Sequence, residues 1–119
     1  MAKFEKFEEI LAWQKSRILV QDIYGAFRDC RDFSFRDQIR RAAVSIMNNI
    51  AEGYDRKGNK EFSKFLYISK GSCSEVRSML YLSLDLKYIN RTDFNDFYRK
   101  SEEISKMLSG LIKALHQPH

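Results

Sequence analysis

Hydrophobic side chains recur along most of the chain at intervals of three and four residues, the spacing of one face of an α-helix. The pattern predicts four helices, over residues 8–30, 34–55, 59–89 and 92–116. Ser34, Asn59 and Thr92 are the predicted N-caps, because their side-chain oxygens can accept hydrogen bonds from free backbone N–H groups. The average step is near 3.5 residues, which is typical of helices that pack at shallow angles.

Each predicted helix has one apolar stripe that we expect to face the core. Because the connections are short, neighbouring helices must run antiparallel, and the sequence predicts one all-α domain over residues 1–119, an up-down-up-down four-helix bundle. The stripes are Ile10, Trp13, Arg17, Val20, Tyr24 and Phe27, widened by Leu19 and Ile23; Ile39, Ala43, Ile46, Ile50 and Gly53; Phe62, Phe65, Ser69, Ser72, Val76, Met79, Ser83 and Leu86; and Phe94, Phe97, Ser101, Ile104, Leu108, Leu111 and Leu115.

The third predicted helix has a second face without the charges that a surface helix normally carries. Small residues let another backbone approach closely, and tyrosine is favoured at interfaces. We expect this face to be a subunit interface in a homo-oligomer; alternatively, the helix lies deep in the bundle between two neighbours. We name it the tyrosine face, and it comprises Tyr67, Gly71, Ser74, Ser78, Tyr81, Asp85 and Tyr88.

Polar side chains form a stripe on the second predicted helix, directly beside the apolar one. Buried amides and carboxylates without partners cost about 1–3 kcal/mol each, so we expect Asn49 and Glu52 to hydrogen-bond between the second and third helices. An alternative is an active site in which Glu52 and Glu75 form an acid–base pair. Gly53 suits close packing or a C-cap, not a phosphate loop. The predicted polar seam comprises Ser45, Asn49, Glu52, Ser72 and Glu75.

The sequence offers little material for catalysis or metal binding. The two histidines, His116 and His119, lie in the tail, and no serine or cysteine has a histidine nearby in the sequence. The Glu-x-x-His repeats of di-metal bundles and the phosphate-binding Walker loop are lacking. We therefore predict no catalytic residues, no metal and no cofactor. Cys30 and Cys73 are not spaced as a metal or redox pair, and we expect two reduced thiols.

Positive charge is concentrated in the middle of the chain. The net charge is +5, and residues 36–70 supply eight basic and four acidic side chains. Such clusters can neutralise phosphates, although a charged helix face is often only solvated. Because no recognition helix is evident, we expect contacts to the nucleic-acid backbone. Two clusters are defined here: basic group A, with Arg36, Arg40 and Arg41, and basic group B, with Arg56, Lys57, Lys60 and Lys64.

Composition adds the broad class of the protein. The chain is 44% hydrophobic and 31% charged, which fits a globular fold and argues against disorder. The start lacks the apolar region of a signal peptide, and no run of about 18 apolar residues occurs. We expect a cytoplasmic, bacterial protein without a membrane partner.

Three segments together resemble a known family. They are "LAWQKSRILVQDIY" (11–24), "QIRRAAVSIMNNIAEGYDR" (38–56) and "FSKFLYISKGSCSEVRSMLYLSLDLKYI" (62–89). They are similar to the four-helix bundle proteins encoded in intervening sequences of bacterial 23S ribosomal RNA genes. Ser69 stands where relatives usually have alanine. The matching positions are Arg40, Arg41, Ser45, Asn49, Glu52, Gly53, Arg56, Gly71, Ser72 and Glu75.

The resemblance implies an antiparallel four-helix bundle that assembles as a homopentamer, in a family without a settled biochemical role. The family is also similar to accessory proteins of diversity-generating retroelements, which are basic pentameric bundles that bind nucleic acid and a reverse transcriptase. Our leading hypothesis is a non-enzymatic, oligomeric RNA- or DNA-binding protein. A protein–protein adaptor that uses the third helix is the competing hypothesis, and an enzyme that uses Glu52 and Glu75 is the third.

Overall fold

Four α-helices form the molecule, which a computed structural model describes over residues 4–117. They are α1 (Leu11–Ala26), α2 (Phe33–Asp55), α3 (Asn59–Asp85) and α4 (Arg91–Leu115), and a 3-10 helix, Phe7–Glu9, precedes α1. No strand occurs in the described residues. The all-α class and the four predicted helices are therefore confirmed.

Contacts between the helices show that neighbours run antiparallel. Between α2 and α3, Ser45 bonds to Ser72, whereas Tyr54, nine residues later in α2, packs on Phe62, ten residues earlier in α3. Between α3 and α4, Asn59 bonds to the last residue of α4, and Tyr81 packs on the first turns of α4. Helices α2, α3 and α4 therefore alternate in direction, as the predicted up-down-up-down bundle requires.

Three predicted N-caps are wrong, each by one or two residues. Asp32, not Ser34, caps α2, and its Oδ1 accepts from the Phe35 N–H at 3.2 Å. Asn90, not Thr92, caps α4. Asn59 lies inside α3, and its side chain instead donates to the Leu115 carbonyl oxygen at 3.2 Å. It thereby satisfies one of the carbonyl groups that the end of α4 leaves unpaired.

Two helices are shorter than predicted. The first begins at Leu11, because Ile10 is extended (φ −74, ψ 118) and separates it from the 3-10 helix. It ends at Ala26. The third ends at Asp85, where Lys87 adopts a left-handed conformation (φ 64). The Tyr88 N–H then donates to the Ser83 carbonyl at 2.8 Å, which is the pattern of a Schellman motif.

The core follows the predicted stripes on α2 and α4 and most of the stripe on α3. On α4, Ile112 is buried where Leu111 was expected, and on α3 Leu86 is exposed. The predicted stripe of α1 is confirmed for Ile10, Leu19, Ile23 and Phe27, which are buried, and is wrong for its other four positions. Its buried residues are Ala12, Ser16, Leu19 and Ile23, with Phe27 just beyond its end, whereas Trp13 and Val20 are half-buried and Arg17 and Tyr24 are exposed.

Small side chains explain how α1 is oriented. Ala12 and Ser16 lie in the core with Leu19, and the Ser16 hydroxyl donates to the Ala12 carbonyl at 2.6 Å, which satisfies this buried hydroxyl. The larger Trp13 is half-buried beside this stripe and stacks edge-on with Phe7 of the 3-10 helix. Periodicity alone does not separate the two stripes, because both have helical spacing.

Candidate nucleic-acid interface

Basic group B surrounds the turn between α2 and α3. Lys57 lies in the turn in a left-handed conformation (φ 59), and Lys60 and Lys64 occupy the first turns of α3. All three are exposed, and within residues 4–117 no carboxylate lies within 4.0 Å of their amino groups. Arg56 differs, because its guanidinium pairs with Glu52 at 3.1 Å and lies over the Phe65 ring. Three lysines of group B are therefore available to an anion.

Basic group A lies on the first half of α2, at the opposite end of the bundle. Arg36 Nε pairs with Asp37 Oδ1 at 3.1 Å, and its guanidinium lies over the Phe33 ring. Arg40 is half-buried over the Tyr24 ring of α1, and its Nη2 donates to the Tyr24 carbonyl oxygen at 3.3 Å. Arg41 is exposed. Group A is thus more engaged within the protein than group B.

The predicted polar seam exists in part. Ser72 Oγ of α3 donates to Ser45 Oγ of α2 at 2.9 Å, and Asn49 Nδ2 donates to the same Ser45 Oγ at 2.9 Å and to the Ser45 carbonyl at 2.8 Å. Ser69 joins the seam, because its buried hydroxyl donates to the Ile46 carbonyl at 2.7 Å. The expected hydrogen bond from Asn49 to α3 is therefore wrong: its amide bonds to Ser45 within α2, and only this serine links it to Ser72 of α3.

The two glutamates do not belong to the seam. Glu52 is exposed and pairs with Arg56 four residues on, so the expected hydrogen bond from Glu52 to α3 is wrong. Glu75 is exposed as well. In the alternative hypothesis these two residues form an acid–base pair, but both side chains are exposed and Glu52 is paired with Arg56.

Gly53 performs the packing role that the sequence suggested. It is buried inside α2, and a Cβ added there would lie 2.5 Å from Phe65 Cβ and 3.1 Å from Phe62 Cδ1. Only a glycine lets the two backbones approach this closely.

The tyrosine face is exposed over most of α3. Tyr67 is 58% exposed and Tyr81 54% exposed, and Gly71, Ser74 and Ser78 are exposed between them. The deep position between two neighbours is therefore wrong for this face, although α3 does contact both α2 and α4. Three more apolar side chains extend the exposed surface, namely Ile68, Leu82 and Leu86.

Tyr88 departs from the rest of the tyrosine face. It follows the end of α3, is half-buried and stacks edge-on with Phe35. Its hydroxyl donates to Asp32 Oδ2 at 2.7 Å, and this hydrogen bond is the main cause that raises the pKa of Tyr88. Tyr88 thus binds the loop before α2, and we remove it from the face.

Sequence reasoning missed one pair of polar residues. Ser63 Oγ lies 2.8 Å from His116 Nε2, so the expectation that no serine has a histidine nearby is wrong in space. The residues are far apart in sequence, and the antiparallel contact between α3 and α4 brings them together. Ser63 is buried, 4% exposed, which keeps its hydroxyl from an external substrate. His119, the other histidine, lies outside the described residues.

Both cysteines are free thiols, as expected. Cys73 is fully buried, and burial raises its pKa to about 11, although Arg77 opposes the shift. Cys30 is half-buried near the start of α2. Among residues 4–117, no group of three histidine, cysteine or acidic residues has the geometry to hold a metal ion.

The sequence of the chain matches a known protein family. The family model described as 23S rRNA-intervening sequence protein matches residues 8–110. The chain belongs to this family. The match spans all of α1, α2 and α3 and most of α4.

One solved relative has the same fold. It is a crystal structure of a protein with unknown function from the S23 ribosomal protein family of Bacteroides thetaiotaomicron VPI-5482. The two chains are 26% identical and superpose with a TM-score of 0.82, over 87% of this chain and 99% of the other. No curated protein matches the chain. In the described part of this family member, no helix combines the length and the hydropathy needed to cross a bilayer.

Proposed function

We propose that this member of the 23S rRNA-intervening sequence family is a non-enzymatic, oligomeric protein that binds the backbone of RNA or DNA. One observation supports the proposal most strongly: Lys57, Lys60 and Lys64 are exposed at one end of the bundle without a carboxylate within 4.0 Å in the described residues. Exposed lysines without partners release counterions when they meet phosphates, and this release favours binding.

The kind of contact follows from the side chains. Lysine is a flexible point charge without the planar fork by which arginine reads a guanine edge. Its contacts therefore neutralise phosphates and fix position along the strand, without selecting a sequence. We propose that the affinity of basic group B for a nucleic-acid strand depends little on the base sequence of that strand.

Assembly through the tyrosine face strengthens such binding. We propose that copies of the chain associate through Tyr67, Gly71, Ser74, Ser78 and Tyr81, in the homopentamer that the family resemblance implies. Exposed tyrosines with small residues between them fit an interface. A ring repeats basic group B in every subunit, so several weak phosphate contacts act together on one strand.

A salt titration tests the binding. The full chain is titrated with labelled RNA and DNA in a mobility-shift assay from 50 to 200 mM salt. We expect the affinity to fall steeply as the salt concentration rises. Substitution of Lys57, Lys60 and Lys64 with glutamine is expected to lower the slope of log affinity against log salt concentration by about one for each lysine that contacts a phosphate. Lys106→Gln, an exposed lysine of α4, is the charge-matched control. No binding at 50 mM salt, or binding indifferent to salt, contradicts the proposal.

A protein–protein adaptor is the second candidate, and the exposed apolar side chains of α3 favour it. Ile68, Tyr81 and Leu82 are 51%, 54% and 45% exposed, which is a surface that a partner helix can cover. The adaptor predicts a protein partner that stays bound after nuclease treatment and is lost in Tyr81→Glu. The nucleic-acid proposal predicts that nuclease treatment releases whatever co-purifies with the chain.

A further inference from the structure

A groove between α1 and α2 lies away from basic group B and has its own chemistry. A shallow, open groove of about 370 Å³ lies there, and its volume falls within the roughly 300–1,000 Å³ of small-ligand sites. Two arginines, one aromatic ring, one aliphatic side chain and one carboxylate surround it. The lining residues are Tyr24, Asp37, Arg40, Arg41 and Val44.

Arg40 is the unusual member of the lining. Its guanidinium carbon lies 4.5 Å from the centre of the Tyr24 ring, and Nη2 donates to the Tyr24 carbonyl at 3.3 Å. Its Nε is buried and has no hydrogen-bond partner within residues 4–117. A buried donor without an acceptor is unfavourable, so the fold does not fully satisfy the hydrogen-bonding groups of Arg40.

The charge of the lining favours an anion. Arg41 is exposed beside Arg40 and adds a second positive charge. Asp37 is the carboxylate of the lining, and Arg36 pairs with it at 3.1 Å, which offsets its repulsion of an anion. An arginine fork matches the oxygens of a phosphate better than a lysine does.

Tyr24 adds a surface for an aromatic group. It is 43% exposed on α1, with the Arg40 guanidinium over its ring. An exposed tyrosine beside arginine is the combination on which single-stranded bases stack. In a duplex the base faces are covered by their neighbours, so this ring has nothing to contact there.

We propose that this groove binds one nucleotide of a single-stranded nucleic acid, with the phosphate on Arg40 and Arg41 and the neighbouring base on Tyr24. The proposal rests on the proposed function and adds a preference for unpaired strands. It also separates the two basic groups: group B attracts the backbone through exposed lysines, whereas the groove in group A holds one nucleotide.

The test uses fluorescence anisotropy with the full chain. The probes are a labelled twelve-nucleotide oligothymidylate and a strand of the same length that lacks bases. We expect the base-free strand to bind at least about fivefold more weakly to the wild-type protein, which is the low end of the contribution of one stacked base. Tyr24→Leu removes this difference and Tyr24→Phe retains it. Arg40→Lys, which keeps the charge, weakens binding of oligothymidylate by a similar factor.

Two further variants guard against a folding defect. Arg41→Gln alters an exposed side chain and lowers the salt slope by about one, and Lys106→Gln on α4 leaves oligothymidylate binding unchanged. Circular dichroism checks the fold of each variant. If the wild type binds both strands equally, or if Tyr24→Leu and Arg41→Gln both bind as the wild type does, the groove proposal is wrong and the proposed function stands. If the wild type binds no nucleic acid at 50 mM salt, both are wrong.

Discussion

Gly53 of α2 and Phe65 of α3 approach so closely that a Cβ at Gly53 would lie 2.5 Å from Phe65 Cβ. The contact involves a Cβ atom close to the α3 backbone, which a side-chain rotation does not move. It lies next to the turn that displays basic group B. The spacing of α2 and α3 at this end therefore depends on the missing side chain of Gly53.

Gly53→Ala is expected to destabilise the protein. Alanine gains about 1 kcal/mol in helix propensity over glycine, but the added methyl group forces α2 and α3 apart, and overpacking costs about 1–3 kcal/mol. We expect a net loss in the free energy of unfolding, measured by urea denaturation. Gly110→Ala on α4 is the control, because nothing lies within 4 Å of its added Cβ. An equal gain in the free energy of unfolding for both variants contradicts the packing role of Gly53.

Ser45 and Ser72 are expected to be energetically coupled. Ser45 Oγ accepts from both Ser72 and Asn49, so Ser45→Ala removes two hydrogen bonds and Ser72→Ala removes one. We expect Ser45→Ala to cost more, and a double-mutant cycle to give a coupling of about 0.5–1.5 kcal/mol. Urea denaturation of the two single variants and the double variant measures it. Strict additivity of the two losses shows that the seam contributes no direct interaction.

Lys100 of α4 makes acid-sensitive ion pairs. Its amino group lies 2.5 Å from Asp22 of α1 and 3.0 Å from Asp96. The hydrogen bond from Lys100 is the main cause that lowers the pKa of Asp96 below its ordinary 3.8, against the opposing effect of burial. Stabilisation by Asp96 is therefore present above pH 3.8 and is lost as the pH falls through its lower, folded-state pKa.

Lys100→Met is expected to lower stability at pH 7 by about 1 kcal/mol, because Asp22 and Asp96 lose their shared partner. The difference from the wild type narrows as Asp96 becomes protonated in acid. Urea denaturation at pH 7, 5 and 3 measures this trend. Lys106→Met has no ion pair to lose in the described residues and serves as the control. A deficit of the same size at all three pH values argues against the ion pairs as its cause.

The bundle was predictable from sequence because periodicity determines which helices form and short turns determine their direction. Ile39, Ile46 and Ile50 on α2 show a stripe that only one orientation buries. Helix α1 carries two candidate stripes, one with Trp13 and one with Ala12, and the choice between them depends on how closely the neighbouring helices approach. That distance depends on residues in other helices, which a local pattern does not contain.

The candidate sites were less predictable, since they depend on the rotation of one helix against another. The hydrophobic pattern predicts Tyr24 in the core and Arg40 in an exposed group, whereas in the structure Tyr24 is exposed and the Arg40 guanidinium lies over its ring. The polar stripe of α2 predicts Glu52 in the seam, although the partner of Glu52, Arg56, lies on the same helix. Basic group B is predictable from the sequence as a cluster of charges, but only the structure shows that its three lysines have no carboxylate within 4.0 Å in the described residues.

Mass by light scattering, at several protein concentrations, tests the central claim that the tyrosine face joins copies of this chain. We predict a mass about five times the 14.1 kDa of one chain for the wild type. Tyr81→Glu gives a smaller species, because it places a charge in the interface, whereas Tyr24→Glu, at an exposed tyrosine of α1, does not. A wild-type mass of 14.1 kDa at every concentration contradicts the assembly.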